Sequence, residues 1–350
     1  MIKITNKKIL FTEKIATLTI GILILFILLS SCKLNRRYKI ALMFPNTTSA
    51  RMSYESKIFR EKASELNCEA VITDALNNDA LQRQQANELI RSGVDVLVLM
   101  AVNTNTAAKI VRDAHNANVK VIAYDRLINN CDLDFYISHN NYNVGKIMGD
   151  YVTKIRPKGK YILIGGDKSD RNAILVKTGQ LDALSPLVKS GDIEILYDVY
   201  IEDWSQENAC FETMKFLKLS AGVLPDAILT SYDGLARGAR QAIDRSGITA
   251  NIIITGQDAE TQAIKDIIAG KQTLTVYKPL KPLAENAVIT ALKLAKGEKA
   301  ACTCKTFNNK ANVPSLLFEP VAVDKNNIRE TVIKDGMITE SEIGLHTLLP

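Results

Sequence analysis

The 350-residue chain is 47% hydrophobic and carries a formal charge of +6, which leaves room for one large or two medium domains with a substantial core. The positive charge is dispersed, and no basic tract or basic-aromatic interleaving points to a nucleic-acid partner. Beyond Cys32, the cysteines Cys68, Cys131, Cys210, Cys302 and Cys304 are an odd, scattered set rather than a disulfide framework; Cys302-x-Cys304 lies far from His115, His139 and His346, so no metal or cofactor is expected.

The chain opens on a leader. Lys3, Lys7, Lys8 and Lys14 form a basic start, and Ile15 to Leu29 is almost wholly aliphatic. Leu29-Ser30-Ser31-Cys32 follows and resembles the lipobox of bacterial lipoproteins, in which the cysteine is acylated, as with palmitate, and becomes the mature N-terminus. Residues 1–31 are therefore expected to be a lipoprotein signal peptide, Cys32 the lipidation site and 32–38 a lipid-anchored tether. An uncleaved transmembrane anchor is the alternative reading of the apolar run. Both export the domain to a periplasmic or extracytoplasmic location and hold it at a membrane. Processing removes four Lys and one Glu, leaving about 319 residues with a charge near +3. Residues 33–38 span at most roughly 20 Å when extended, which keeps the domain close to its membrane.

From Lys39 onward, short Val- and Ile-rich runs alternate with longer amphipathic ones. Strands are predicted at Ile40 to Phe44, Ala70 to Thr73, Val94 to Leu99, Lys120 to Tyr124, Tyr161 to Ile164, Ile193 to Val199, Ala227 to Thr230 and Ile252 to Thr255. Helical periodicity runs between them, as at Ser53 to Leu66, Asp79 to Ser92, Asn105 to Ala117 and Leu235 to Ser246. This repetition predicts an α/β protein of parallel sheets covered by helices on both faces. Ligands of such sheets bind beyond the carboxyl ends of the strands, and polar residues cluster there: Asn46 to Arg51, Asn103, Asp125-Arg126, Asp167 to Asn172, Ser231 to Asp233 and Gln257-Asp258. The mixture of carboxylate, guanidinium and amide, without a nucleophile-base pairing, suits a ligand made of hydroxyls.

Val121-Ile-Ala-Tyr-Asp-Arg-Leu-Ile-Asn129 with Asp134-Phe-Tyr-Ile-Ser138, then Thr255-Gly-Gln-Asp-Ala259, Gln272-Thr-Leu-Thr-Val-Tyr-Lys-Pro279, Val323-Asp-Lys-Asn-Asn327 and Thr331-Val-Ile-Lys-Asp-Gly336, resemble the periplasmic D-xylose-binding proteins of ABC transporters. These belong to the ribose/galactose type of two-lobed sugar receptors. The resemblance spans residues 38 to 343 in order. It implies two Rossmann-like lobes with parallel sheets joined by a three-strand hinge, the periplasmic binding protein type I fold, closing over one sugar. The N-terminal lobe is expected over 39–140 plus 279–320 and the C-terminal lobe over 141–278 plus 321–345. Crossings are expected near Ser138 to Tyr142, Tyr277 to Lys281 and Pro320 to Val323.

The resemblance assigns sugar contacts to Arg51, Asp125, Arg126, Asn172, Trp204, Asp258 and Lys278, with Tyr232 and Asp233 standing where the family has Asn-Asp. Their chemistry is compatible with that role. Asp accepts hydrogen bonds from hydroxyls, Arg and Lys donate, Asn does both, and the sole tryptophan offers a plane to the C–H face of a pyranose. Two positions depart from the family pattern: Met52 replaces a second tryptophan, and Tyr232 replaces an asparagine. The expected function is a membrane-anchored monomeric receptor that delivers a monosaccharide, D-xylose foremost, to an ABC permease; the alternative is a sensor of the same fold presenting its closed form to a sensor kinase ectodomain or chemoreceptor. An enzyme is not expected, since G-x-S-x-G is absent and the cations beside Asp125 and Asp258 would keep both carboxylates ionised, against the needs of a glycosidase pair. A repressor of this fold is excluded by the export signal and the lack of a helix-turn-helix module.

Overall fold

The computed structural model describes residues 37–48 and 50–345. The leader over 1–31, Cys32, residues 33–36 of the tether and His346 lie outside the described residues.

Alternate residues of the apolar runs separate onto the two faces of each sheet, as strands buried on both sides require. Strands β1 (Lys39–Phe44), β2 (Glu69–Asp74), β3 (Val96–Leu99), β4 (Lys120–Tyr124) and β5 (Phe135–His139) begin the first sheet. One of its faces buries Ala41, Met43, Leu97, Leu99, Val121 and Ala123. The other buries Ile40, Leu42, Phe44, Val98, Ile122 and Tyr124 against Leu283, Ala287 and Val288 of the helix Leu280–Ala295. The second sheet contains β6 (Gly159–Gly165), β7 (Ile193–Tyr200), β8 (Ala227–Thr230), β9 (Ile253–Gln257) and β10 (Leu274–Tyr277). There Tyr161, Leu163 and Leu229 face one core, and Ile162, Ile164 and Ile228 face the other. Strands β11 (Cys304–Phe307) and β12 (Asn312–Phe318) return to the first sheet and β13 (Val321–Val323) to the second, giving orders β11-β12-β5-β4-β3-β1-β2 and β13-β10-β9-β8-β6-β7. Only β11 and β13, both at edges, run antiparallel to their neighbours.

All eight predicted strands are present, with boundaries shifted by two residues or fewer. Of the five strands not predicted, β11 is largely exposed and β13 has three residues, too few to show a period. Near the junction of the two halves, the helices Asn141–Ile155 and Arg171–Lys189 pack at backbone contact. A Cβ on Gly145 would meet the carbonyl oxygen of Val176 at 1.8 Å, and one on Gly179 that of Tyr142 at 2.0 Å.

The chain passes between the sheets three times: after β5, between β10 and the helix Leu280–Ala295, and between β12 and β13. His139, on the first passage, joins all three. Its Nε2 donates to the carbonyl of Pro279 on the second at 3.0 Å, and its ring packs 6.2 Å from that of Phe318 on the third. Asn140 and Asn143 donate to the Glu319 carboxylate at 3.2 and 2.6 Å, adding polar contacts between the first and third passages.

Burial first, and then the charge of Lys278, lower the pKa of His139 from 6.5 to about 3. Below about pH 6.5 an unfolded chain gains a proton here that the folded chain refuses. The contribution of His139 to stability is thus complete above that pH and falls as the pH drops toward 3. In His139→Gln, the stability lost between pH 7 and pH 5 should shrink by up to about 2 kcal/mol, measured by urea unfolding at both values. An equal loss in variant and wild type would show that His139 does not set this dependence.

Candidate functional site

The loops after the strands hold their side chains with left-handed backbone, which is costly for residues other than glycine. Asp125, directly after β4, has φ 62°, Asp258, directly after β9, has φ 89°, and Trp204 has φ 54°. Each is a residue the sequence singled out. The carbonyl of Asp125 is held by three donors: Tyr136 Oη at 3.1 Å, Ser138 Oγ at 2.9 Å and Asn172 Nδ2 at 3.3 Å. The last of these comes from the other half of the molecule.

The Asp125 carboxylate meets Arg51 Nη2 at 3.4 Å. Burial disfavours its charge, yet Arg51 and Lys278 outweigh burial and hold it well below the usual carboxylate range. Lys278, buried at the second passage, pairs with Asp258 at 2.9 Å. The helix nearby starts at Thr261 with Glu260 as its N-cap, so the Asp258 side chain is not spent on capping. Arg126 donates to the carbonyl of Ala101 at 3.2 Å and lies 3.7 Å from Asp170 of the second half. Asn172 accepts from Asn141 at 3.0 Å. Asn141 Oδ1 and Asp125 Oδ1 are buried without a hydrogen-bond donor among the described residues.

Trp204 stands in the segment after β7. Its ring lies edge-on to Tyr232, centroids 6.2 Å apart, and rests on Gly166, where a Cβ would overlap the ring at 2.2 Å. The Tyr232 hydroxyl donates to Glu260, whose carboxylate also pairs with Arg237. Asp233 stands apart from the group. It is fully buried in the second half, where its carboxylate accepts from Gln272 at 2.9 Å, Thr275 at 3.0 Å and the Glu260 backbone at 2.9 Å. Its physical role is to fix the loop that carries Asp258. Met52 packs against the core beneath the helix Ala50–Glu65 and supplies no aromatic surface.

The structure thus brings Arg51, Asp125 and Asn172 together, pairs Lys278 with Asp258 and Arg126 with Asp170, and sets Trp204 against Tyr232. Sequence reasoning missed Asn141 and Glu55. Asn141 follows β5 and was available to the strand-end rule; Glu55 lies four residues from Arg51 on one helix, the spacing of neighbours on a helical face. The halves also meet through Tyr54, whose hydroxyl donates to the carbonyl of Asp335 at 2.7 Å, and through Arg171, which donates to that of Phe307 at 3.1 Å. Two cavities of about 660 and 420 Å³ lie elsewhere, and none of these site residues lines them.

A model of the periplasmic binding protein domain matches residues 40–299. The D-xylose-binding periplasmic protein of Haemophilus influenzae is 38% identical over 331 residues, covering 94% of this chain and 98% of that protein. The D-xylose-binding periplasmic protein of Escherichia coli is 38% identical over 308 residues, covering 88% and 93%. An ABC transporter solute-binding protein from Clostridium phytofermentans, with bound β-D-glucose, superposes with a TM-score of 0.81 at 28% identity, covering 87% of this chain and 99% of that one. These relatives are binding proteins rather than enzymes.

The seat of the only tryptophan can be tested without any ligand. Gly166→Ala should push the indole off its seat, shift its emission maximum and lower stability by about 1 to 3 kcal/mol, as overpacking does. Emission and unfolding midpoint identical to wild type would contradict the close contact.

Proposed function

The chain belongs to the periplasmic binding protein domain family and is not an enzyme, and from that premise we propose that it is an extracytoplasmic receptor that binds a monosaccharide between its two halves and delivers it to an ABC permease. D-xylose is the leading ligand, on the likeness to two D-xylose-binding relatives. The observation that carries the reading is a buried group of opposite charges between the sheets, Arg51 with Asp125 and Lys278 with Asp258. Asp125 and Asp258 accept from hydroxyls, Arg51, Arg126 and Lys278 donate, and Asn172 does both. The indole of Trp204 covers the C–H face of the ring. Asn141 Oδ1, buried without a hydrogen bond among the described residues, and Asp125 Oδ1, held only by its 3.4 Å ion pair with Arg51, are acceptors that hydroxyls would satisfy. Sugar contacts made from both halves favour the closed arrangement and shift the population toward it, which is the form a permease would recognise.

Met52 and Tyr232 set the limits of specificity. Met52 offers no ring for stacking, and Tyr232 brings a ring whose hydroxyl is already engaged by Glu260 where the family pattern has an amide. On titration with D-xylose, ribose, arabinose, glucose and galactose, Trp204 emission should respond to at least one sugar, D-xylose first. Asp258→Ala should weaken that binding by about 30-fold to 1000-fold, because it strands Lys278 and the sugar hydroxyls. Calorimetry showing no binding of any of the five at millimolar concentration would overturn the sugar reading; unchanged affinity in Asp258→Ala would remove Asp258 from the site.

The leader supports attachment through a lipidated Cys32, with β1 starting only seven residues later. Cys32→Ala expressed in a bacterial host should accumulate as unprocessed precursor that takes up no fatty-acid analogue. Persistent labelling would refute this assignment.

A further inference from the structure

We infer that Glu55, backed by Tyr124, is the positioning residue that aims Arg51 into the ligand site; the inference rests on the sugar-receptor reading above. Glu55 is completely buried, and a carboxylate is kept in such a place only if paired charge and hydrogen bonds compensate for lost water. Its partners are specific. Arg51 Nη2 donates to Glu55 Oε1 at 3.4 Å, Arg51 Nε lies 3.4 Å from Oε2, and Tyr124 Oη donates to Oε1 at 2.9 Å. Arg51 and Glu55 are one turn apart on the helix Ala50–Glu65, whereas Tyr124 ends β4 and directly precedes Asp125.

Glu55 therefore ties the helix that carries Arg51 to the strand that carries Asp125. The guanidinium is gripped from two sides, by Glu55 on its own helix and by Asp125 Oδ1 at 3.4 Å. A long side chain held this way loses its freedom before a ligand arrives, so less entropy is lost on binding. Asp125 is shared between this grip and the hydroxyls of the ligand, while Glu55, deeper and fully covered, is left with the single task of holding Arg51. Burial outweighs the opposing charge of Arg51 and raises the pKa of Glu55, which is consistent with a carboxylate retained at a cost to stability.

The test compares D-xylose affinity, or that of whichever of the five sugars the wild type binds, with thermal stability. Glu55→Gln keeps the shape and can still accept from Tyr124 but loses the charge; it should bind about 5-fold to 30-fold more weakly with no fall in unfolding midpoint. Glu55→Asp, which keeps the charge on a shorter stem, should recover part of that affinity. Arg51→Ala and the double variant Arg51→Ala/Glu55→Gln should bind alike, because Glu55 acts only through Arg51. Tyr124→Phe, which removes one hydroxyl, should weaken binding about 2-fold to 5-fold and serves if Glu55→Gln does not fold. Wild-type affinity in Glu55→Gln, or losses that add in the double variant, would overturn the positioning role while leaving the receptor reading intact. A wild type that binds none of the sugars would overturn both.

Discussion

Arg51, Asp125 and Lys278 are tolerated inside the protein because each faces an opposite charge, and the arrangement requires the two sheets to be held close together. An isolated ion in such surroundings would cost several kcal/mol. Paired, these charges form a polar core between two apolar ones, and the loops, the passages and the contacts between halves are arranged around them. Asp125 shows the dependence most clearly: its carboxylate faces Arg51 from one helix, and its carbonyl accepts from Asn172 of the other half. The backbone at Asp125 and Asp258 accepts a left-handed conformation because the surrounding bonds over-determine it.

The three passages join the two sheets at one junction. His139 touches the other two passages, so a rotation of one half must break or rotate those contacts together. Tyr54, Arg171 and Arg126 add direct contacts across the junction. None of these is an apolar seam of the kind that locks domains permanently, and polar contacts of this type can exchange with water when the halves separate.

Specificity is where the chain departs from the pattern it resembles. Where that pattern has a tryptophan and an amide, this chain has Met52 and Tyr232; under the proposed sugar reading these changes take away a stacking wall and a group that both donates and accepts. The Tyr232 hydroxyl is satisfied by Glu260, and Glu260 by Arg237. That chain of contacts fixes the ring edge-on to Trp204.

The sequence by itself determined the parallel α/β architecture and eight of its strands, because a strand packed inside such a fold needs a run of Val, Ile and Leu whatever its partners. It also marked the strand ends where Asp125, Arg126 and Asp258 stand, since a polar residue just past such a run lies beyond the carboxyl end of the sheet. Two edge strands were not legible: β11 is solvent-facing and β13 too short, and pairing with a neighbour defines them rather than their own composition. Nor could the sequence separate Asp233, consumed by Gln272 and Thr275, from Asp258, which pairs with Lys278 across two loops. Both are aspartates just beyond a strand. Which one faces the space between the sheets depends on the donors that folding brings to each carboxylate from 20 to 42 residues away, and only the tertiary structure decides that.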